Sequence, residues 1–318
     1  MKVADYVIHT LGDFGVSEMF VVYGGANGDL IDAFTRTNQT RYIAVQHEQS
    51  GGHALEGWAK VKGLPGVAIA TSGPGAQNFV TAIANCYYDS VPAIFLTGQV
   101  KTAYMRNDES IRQVGFQETD IVGIAKPITK YATLVINPSL VRYELEKAWF
   151  IAQEGRPGPV LLDLPVDVQK SEIEPKELSG YISNVSGANT FNIEIVSKQI
   201  DAFLNDLSLS QRPAFLIGGG VRTSGVQKLF RTINEILQIP SFPTWNALDV
   251  ITSDYEYYGG RVGTFGGADR NFGIQNCDLL LSIGSRISGR ITGGNPKTFV
   301  RAAKKYIVDV DKTLLQPA

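Results

Sequence analysis

The sequence predicts an α/β fold built as two doubly wound parallel-sheet domains. Three observations carry that reading. Short β-branched or apolar runs alternate with helical spacing along the whole chain, the pattern that right-handed βαβ crossovers and a sheet covered on both faces produce. The chain has 318 residues, more than one hydrophobic core of about 250–300 residues serves. Its 33 glycines gather where strands hand over to helices, the joints at which backbone must approach a partner closely.

Tyr6 to Phe14 has helical apolar spacing and stops at Gly15, a C-cap residue. Met19 to Tyr23 is a short strand run broken by Gly24-Gly25, and Leu30 to Phe34 returns to helical spacing. Tyr42 to Val45 reads as a strand, and Gly51 to Lys62 as a helix of small residues. Val67 to Thr71 is a β-branched strand, Ala76 to Tyr87 a helix and Ala93 to Thr97 a further strand. The segment from Val100 to Asp120 is polar and irregular, hence a surface loop. Leu140 to Ala152 reads as a helix and Val160 to Leu164 as a strand. Residues 1–172 form the first expected domain and residues 173–190, which lose hydrophobic periodicity, a linker. Residues 191–318 form the second, with a helix at Val196 to Leu204 and a strand at Ala214 to Ile217. A helix at Val226 to Leu237 and strands at Leu279 to Ile283 and Tyr306 to Val310 follow. The sequence stops at Pro317-Ala318 just after that strand, so the second domain is either very small or part of a longer polypeptide.

Composition removes several function classes. Hydrophobic residues at 44% and charged residues at 19% exclude wholesale disorder. Lys plus Arg is 29 against 31 Asp plus Glu, a balance unlike the clustered positive charge of a nucleic-acid binder. Cys86 and Cys277 alone make neither a disulfide scaffold nor a multi-cysteine zinc site. No apolar run reaches the about 20 residues that span a bilayer, and Asp5 interrupts any leader at the start. A cytoplasmic protein without membrane or nucleic-acid partners is expected.

Three clusters could carry chemistry. Val45-Gln46-His47-Glu48-Gln49 puts a carboxylate after a strand, at the first turn of the small-residue helix. Open α/β sheets bind ligands outside the carboxyl ends of their strands, so Glu48 stands at a functional address; its structural alternative is a helix cap complementing the dipole. His47-Glu48 is no zinc-protease motif, because position 51 is glycine. Thr71-Ser72-Gly73-Pro74-Gly75, with Gln77-Asn78, is a strand-to-helix turn whose N–H groups could receive an anion, though no Walker lysine follows. Gly218-Gly219-Gly220 follows a strand, but Thr223 replaces the last glycine of a dinucleotide fingerprint.

Taken in order, the motifs resemble the N-terminal part of thiamine-diphosphate-dependent enzymes of the acetolactate synthase type. The matching stretches are His47-Glu48-Gln49 with Gly52-His53 and Glu56-Gly57, then Thr71-Ser72-Gly73-Pro74-Gly75, Asp89-Ser90-Val91-Pro92 and Thr97-Gly98-Gln99-Val100. Gly115-Phe116-Gln117-Glu118, Ile128-Thr129-Lys130, Gly155-Arg156-Pro157-Gly158-Pro159-Val160 and Asp163-Leu164-Pro165 continue the series. Gly218-Gly219-Gly220, Gly284-Ser285-Arg286 and Arg290-Ile291-Thr292-Gly293 extend it into the second domain.

The resemblance implies a pyrimidine-binding first domain and a central domain related to dinucleotide-binding folds. It implies that Glu48 is catalytic: it hydrogen-bonds N1′ of the aminopyrimidine ring, the imino tautomer removes the thiazolium C2 proton, and the ylide attacks a 2-keto acid such as pyruvate. Carbon dioxide leaves into the cofactor's electron sink, while the protein orients and dehydrates the reaction. The two-carbon unit then passes to a carbonyl acceptor or leaves as an aldehyde. Gly24, Gly25 and Ala26 match a glycine-rich turn near the reactive part of the cofactor. Gly73 and Asn78 belong to the second turn at the cofactor. Gln117 is the second catalytic residue by resemblance and, with Phe116, matches a loop lining the neighbouring subunit's site. Arg156, Gly218, Gly219, Gly284, Arg286 and Arg290 fall among residues that resemble the flavin adenine dinucleotide contacts of acetolactate synthases; the alternative is plain chain turns and surface ion pairs, worth little.

Departures from the family pattern are specific. Phe20-Val21-Val22-Tyr23 replaces a Phe-Gly-x-Pro turn, Val166 replaces a lysine, and Gly263-Thr264-Phe265-Gly266 replaces Gly-Met-His-Gly. The loop from Gln99 to Gly115 is longer, adding Arg106, Asp108, Glu109 and Arg112. These changes imply a specialised acceptor, such as a nucleotide-linked keto sugar or another aldehyde. No Gly-Asp-Gly followed by Asn-Asn is present, and Gly28-Asp29-Leu30 is not a substitute. The Mg²⁺–diphosphate anchor is therefore expected in an absent third domain, with no metal ligands in these residues, and a fragment or one half of a split enzyme is expected. Sites of this family form between protomers, so a second protomer is expected. A simple 2-keto-acid decarboxylase or lyase, a non-catalytic nucleotide-binding module and a structural partner subunit remain the alternatives.

Overall fold

The computed structural model describes residues 1–108, 110–183 and 192–315. Glu109 of the lengthened loop, residues 184–190 of the expected linker, the first residue of the expected second domain and the terminal Pro317-Ala318 lie outside the described residues. The chain divides into two compact units, Met1–Ser186 and Gly187–Ala318.

The first unit contains, in order, α1 (Val3–Asp13), β1 (Glu18–Val21), α2 (Gly28–Ala33), β2 (Arg41–Ala44), α3 (Glu48–Lys62), β3 (Gly66–Ala70) and α4 (Pro74–Gln77). Then come α5 (Val80–Asp89), β4 (Ala93–Gln99), α6 (Ile121–Ala125), β5 (Tyr131–Leu134), α7 (Val141–Gln153), β6 (Pro159–Pro165) and α8 (Val166–Lys170). Its strands form a six-stranded sheet in the order β2-β1-β3-β4-β6-β5, parallel at every pairing. The pleat sends successive side chains to opposite faces. Val67, Ile69, Ile94, Leu96, Val160 and Leu162 join α1, α2 and α7 in one core. Ala68, Ala70, Ala93, Phe95 and Leu161 join α3, α5 and α6 in the other. Burial on both faces is why these strands read as unbroken apolar runs.

The second unit contains α9 (Ile193–Leu209), β7 (Pro213–Ile217), α10 (Gly220–Thr223), α11 (Gln227–Leu237), β8 (Ser241–Pro243), α12 (Ala268–Gln275), β9 (Leu279–Ile283), α13 (Gly289–Thr292) and β10 (Lys304–Val308). Its parallel sheet has the order β10-β9-β7-β8. The two doubly wound α/β sheets agree with the fold class read from the sequence.

Several elements differ from the sequence reading. The helix expected over Ala76 to Tyr87 is two helices, because the turn started by Pro74 closes at Asn78 before α5 begins. Strands β5 and β8 were unseen; β8 has three residues and ends in Pro243, too short for a period-2 signal. The first half of the expected linker is attached to the first unit. Ile173 and Leu178 pack against its core, Arg142 donates to the Leu178 carbonyl at 3.2 Å, and the Tyr181 N–H donates to Glu146 at 2.7 Å. Among the described residues no helix is long and apolar enough to cross a membrane.

Candidate active site

The chain runs from β1 to its neighbour β2 on one side, then back to β3 on the other. That reversal is a topological switch point, where open α/β sheets leave a crevice. The turns after β1 and β3 and the start of α3 all lie at this carboxyl end.

Helix α3 buries Glu48, Gly51, Gly52, Leu55, Glu56 and Ala59, spaced i, i+3, i+4, i+7, i+8 and i+11 along one side. Two acids lie on that side: Glu56, held by Lys60 and Asn85, and Glu48, which is 9% exposed. The small residues set the depth of the helix: a Cβ on Gly52 would lie 2.4 Å from the Ala82 Cβ of α5. Capping is done by His47, whose Nδ1 accepts from the Gln49 N–H at 3.2 Å. Glu48 is left for other work. Its Oε2 accepts from Asn78 Nδ2 at 2.8 Å, and Oε1 has no hydrogen-bond partner among the described residues. The carboxylate is thus buried with no cation paired to it among the described residues.

The turn after β1 is fixed from several sides. Gly24 N–H donates to Asn27 Oδ1 at 2.8 Å, and Asn27 Nδ2 donates to the Val22 carbonyl at 2.9 Å. Ala26 N–H donates to Thr71 Oγ1 at the end of β3, at 3.1 Å. Gln169 Nε2 donates to the Ala26 carbonyl at 2.7 Å. Sequence reasoning named the glycines and, in another cluster, Thr71, but missed Asn27 and Gln169, which help to hold them; the polar residues nearest a glycine turn were the available signal. A Cβ on Gly25 would meet nothing within 4 Å, so that position is open.

Gly73 has φ +62° and begins the turn into α4; a Cβ there would lie 2.7 Å from the Gln117 carbonyl oxygen. A Cβ on Gly75 of the same turn would lie 3.2 Å from Glu48 Oε1, so within this chain Gln117 and Glu48 flank one turn, whereas the resemblance placed Gln117 at the neighbouring subunit's site. Phe116 next to it is 83% exposed. The segment read as a surface loop is anchored inward at Gly115 and Glu118, both buried. An open cavity of about 440 Å³ lies beside it between Arg106, Arg112, Glu118 and Asp120, and Glu48 is not among its lining residues.

The remaining expected residues separate into other places. Arg156 precedes β6, at the end of the sheet opposite Glu48, where its Nε donates to Ser90 Oγ at 2.7 Å. In the second unit, Gly218 and Gly284 close the switch point between β7 and β9: a Cβ on Gly218 would lie 1.9 Å from the Gly284 carbonyl oxygen. Gly219 lies against Asn246, its Cβ position 3.0 Å from that carbonyl oxygen. Arg286 follows the β9 turn. Arg290, on α13, stacks its guanidinium 5.5 Å from the Phe265 ring centre, and Phe265 meets Trp245 edge-on at 5.8 Å.

Comparison with known proteins agrees with this architecture. Residues 1–124 match the model of the thiamine pyrophosphate enzyme N-terminal TPP-binding domain, and residues 200–316 match that of the thiamine pyrophosphate enzyme central domain. The chain is 36% identical over 316 residues to the acetolactate synthase large subunit of Corynebacterium glutamicum, covering 98% of this chain and 48% of the relative. It is 36% identical over 305 residues to the acetolactate synthase large subunit of Lactococcus lactis, covering 96% and 51%. To the chloroplastic acetolactate synthase 2 of Nicotiana tabacum it is 34% identical over 315 residues, covering 98% and 45%. The chain spans about half the length of the curated relatives it matches. Both matched regions sit on the two sheets, one in each unit, and the chain belongs to the thiamine pyrophosphate enzymes of the acetolactate synthase type.

Proposed function

We propose that this chain forms the pyrimidine-binding and central domains of a cytoplasmic thiamine-diphosphate-dependent carboligase, acting on pyruvate or a related 2-keto acid. The observation that carries the reading is Glu48: a buried carboxylate at a sheet switch point, bonded by Asn78 on one oxygen and by no described residue on the other. That donor set fits an aminopyrimidine ring. Glu48 holds the proton shared with the ring nitrogen, and Asn78 orients the carboxylate so that Oε1 is the oxygen that shares it. The turn Gly24-Gly25-Ala26 leaves room at Gly25 for a ligand, and Gln117 and Phe116 border the same cleft. When bound, thiamine diphosphate supplies the electron sink for loss of carbon dioxide. In this reading the Mg²⁺ that anchors its diphosphate belongs to a further domain, and a second protomer completes the cleft. Flavin adenine dinucleotide at the second switch point is proposed on the Arg290–Phe265–Trp245 stack, a surface suited to a flat ring.

A Glu48→Gln substitution in the full-length enzyme tests both assignments. Turnover with pyruvate should fall by about 100-fold or more, the scale of losing a positioned proton carrier, while bound flavin absorbance stays unchanged. Undiminished turnover would remove Glu48 from the chemistry. Product analysis of the wild type separates a ligation product from the free aldehyde of a simple decarboxylase.

A further inference from the structure

We infer that Glu118 is a positioning residue: its carboxylate locks the loop so that Gln117 stands against Gly73 with a free side-chain amide. The inference rests on the reading of Gln117 as part of the cofactor cleft. Gln117 has φ +62°, a left-handed backbone that a glutamine keeps only when its surroundings hold it there. The holding groups flank it. Glu118 is 8% exposed; its Oε1 accepts from the Arg106 N–H at 2.6 Å and its Oε2 from the Val114 N–H at 2.9 Å. Its own N–H donates to the Gly115 carbonyl at 3.0 Å, and its carbonyl accepts from Gln113 Nε2 at 3.2 Å. One carboxylate thus gathers chain positions 106, 114 and 118 at the residue after Gln117. Burial pushes this carboxyl up, but the backbone N–H groups of Arg106, Val114 and Gly115 outweigh it and hold the group below the usual carboxylate range, hence charged. On the far side, Gln99 Nε2 donates to the Thr119 carbonyl at 2.8 Å.

The consequence is a contact with no slack. A Cβ on Gly73 would lie 2.8 Å from the Gln117 Cβ, so a shift of a few tenths of an ångström in the loop moves one against the other. The Gln117 amide makes no hydrogen bond among the described residues, which leaves its donors and acceptor for whatever enters the cleft. A glutamine at position 118 would keep the shape but place an NH₂ against one of the two backbone N–H groups.

The test is a double-mutant cycle in the full-length enzyme with Glu118→Gln and Gln117→Ala. Glu118→Gln should lower kcat/KM for the 2-keto acid by roughly 10-fold. In the Gln117→Ala background it should add less than about 2-fold, because its route runs through Gln117. An equal loss in both backgrounds overturns the proposal. Amide hydrogen exchange gives a readout free of activity: Glu118→Gln should speed exchange at Val114 and Gln117, and unchanged exchange there also overturns it. Faster exchange in Glu118→Gln, with Gln117→Ala fully active, would retain the lock and reject Gln117 as a cleft residue. If Glu118→Gln fails to fold, Glu118→Asp serves: the charge stays, one methylene is lost, and the same cycle must remain non-additive.

Discussion

The strand orders β2-β1-β3-β4 in the first unit and β8-β7-β9-β10 in the second follow the same path. In each, the chain leaves a strand, pairs on one side, then crosses to the other and opens a crevice at the reversal. Each also has a glycine jammed against a carbonyl at the carboxyl end of its sheet, on β4 in the first unit and after β7 in the second. A Cβ on Gly98 would lie 1.9 Å from the Ala26 carbonyl oxygen, and a Cβ on Gly218 would lie 1.9 Å from that of Gly284. What enters from the outer strand differs. After β2 comes Glu48, a buried acid; after β8 comes Trp245, 56% exposed and beside Phe265. One fold therefore places a buried carboxylate and an exposed aromatic stack at equivalent addresses, and on the proposed reading the chemistry is set by the residue after one strand rather than by the sheet.

The largest effects should come from the shared steric device. Gly98→Ala and Gly218→Ala each drive a methyl into backbone that has no rotamer to yield, so a loss of about 3 kcal/mol or more is expected. Each variant should unfold its own unit: hydrogen exchange in the other unit's sheet should stay slow. A normal melting curve for either variant would mean that the two crevices are not built alike.

The sheet cores were legible in the sequence because burial on both faces writes continuous runs such as Val67 to Ala70 and Ala93 to Leu96. Glu48 was legible for a different reason: it follows a strand at the first turn of a helix, at the carboxyl end of the sheet, within a motif that resembles the family; its register on the buried face of α3 is visible only in the structure. The partition between capping and function was not legible, since only the structure shows His47 taking the cap. Strand β5, with Tyr131-Ala132-Thr133-Leu134 half-buried at the sheet edge, lacks both the apolar run and a clean alternation. Glu118 stood in the matching stretch without a role, because its partners are backbone N–H groups 12 and 4 residues away, and backbone donors carry no residue type to read.

A second asymmetry between the units lies in their response to pH. Asp163 on β6 is 2% exposed and accepts from Thr97 Oγ1 at 2.7 Å and Gln99 Nε2 at 2.9 Å. Burial, against those two hydrogen bonds, pushes its carboxyl up to about 7. The unfolded chain releases that proton near pH 4, so the folded first unit binds more protons between about 4 and 7. Its stability is then greatest below that window and declines as pH rises through it. In the second unit the shifted acids move the other way, Asp206 through the hydrogen bond from Lys304 and Asp254 through that from Thr252, which gives no decline over the same range. Unfolding followed by hydrogen exchange at pH 5 and pH 8 should therefore show the first unit weakening alone. Asp163→Asn should abolish that difference, because the Thr97 hydroxyl can accept from the amide NH₂ while Gln99 donates to its oxygen. A persisting slope would assign the titration to another group.

The smallest expected effect separates a stacking surface from a structural one. Phe265 is 66% exposed and touches Arg290 and Trp245, and neither contact belongs to the buried cores of the second unit. An exposed cation–aromatic pair contributes about 0.5–1 kcal/mol, and leucine retains part of the apolar cover over the Arg290 stem. Phe265→Leu should therefore change the unfolding free energy of the second unit by less than about 0.5 kcal/mol. Flavin retention should respond much more strongly, with affinity falling roughly 10-fold as the flat face is lost. A large stability loss with unaltered flavin would place Phe265 in the fold, and the second crevice would then have no side chain set aside for a ligand as Glu48 is in the first. That outcome would leave the two switch points alike in their backbone and unlike in having any chemistry at all.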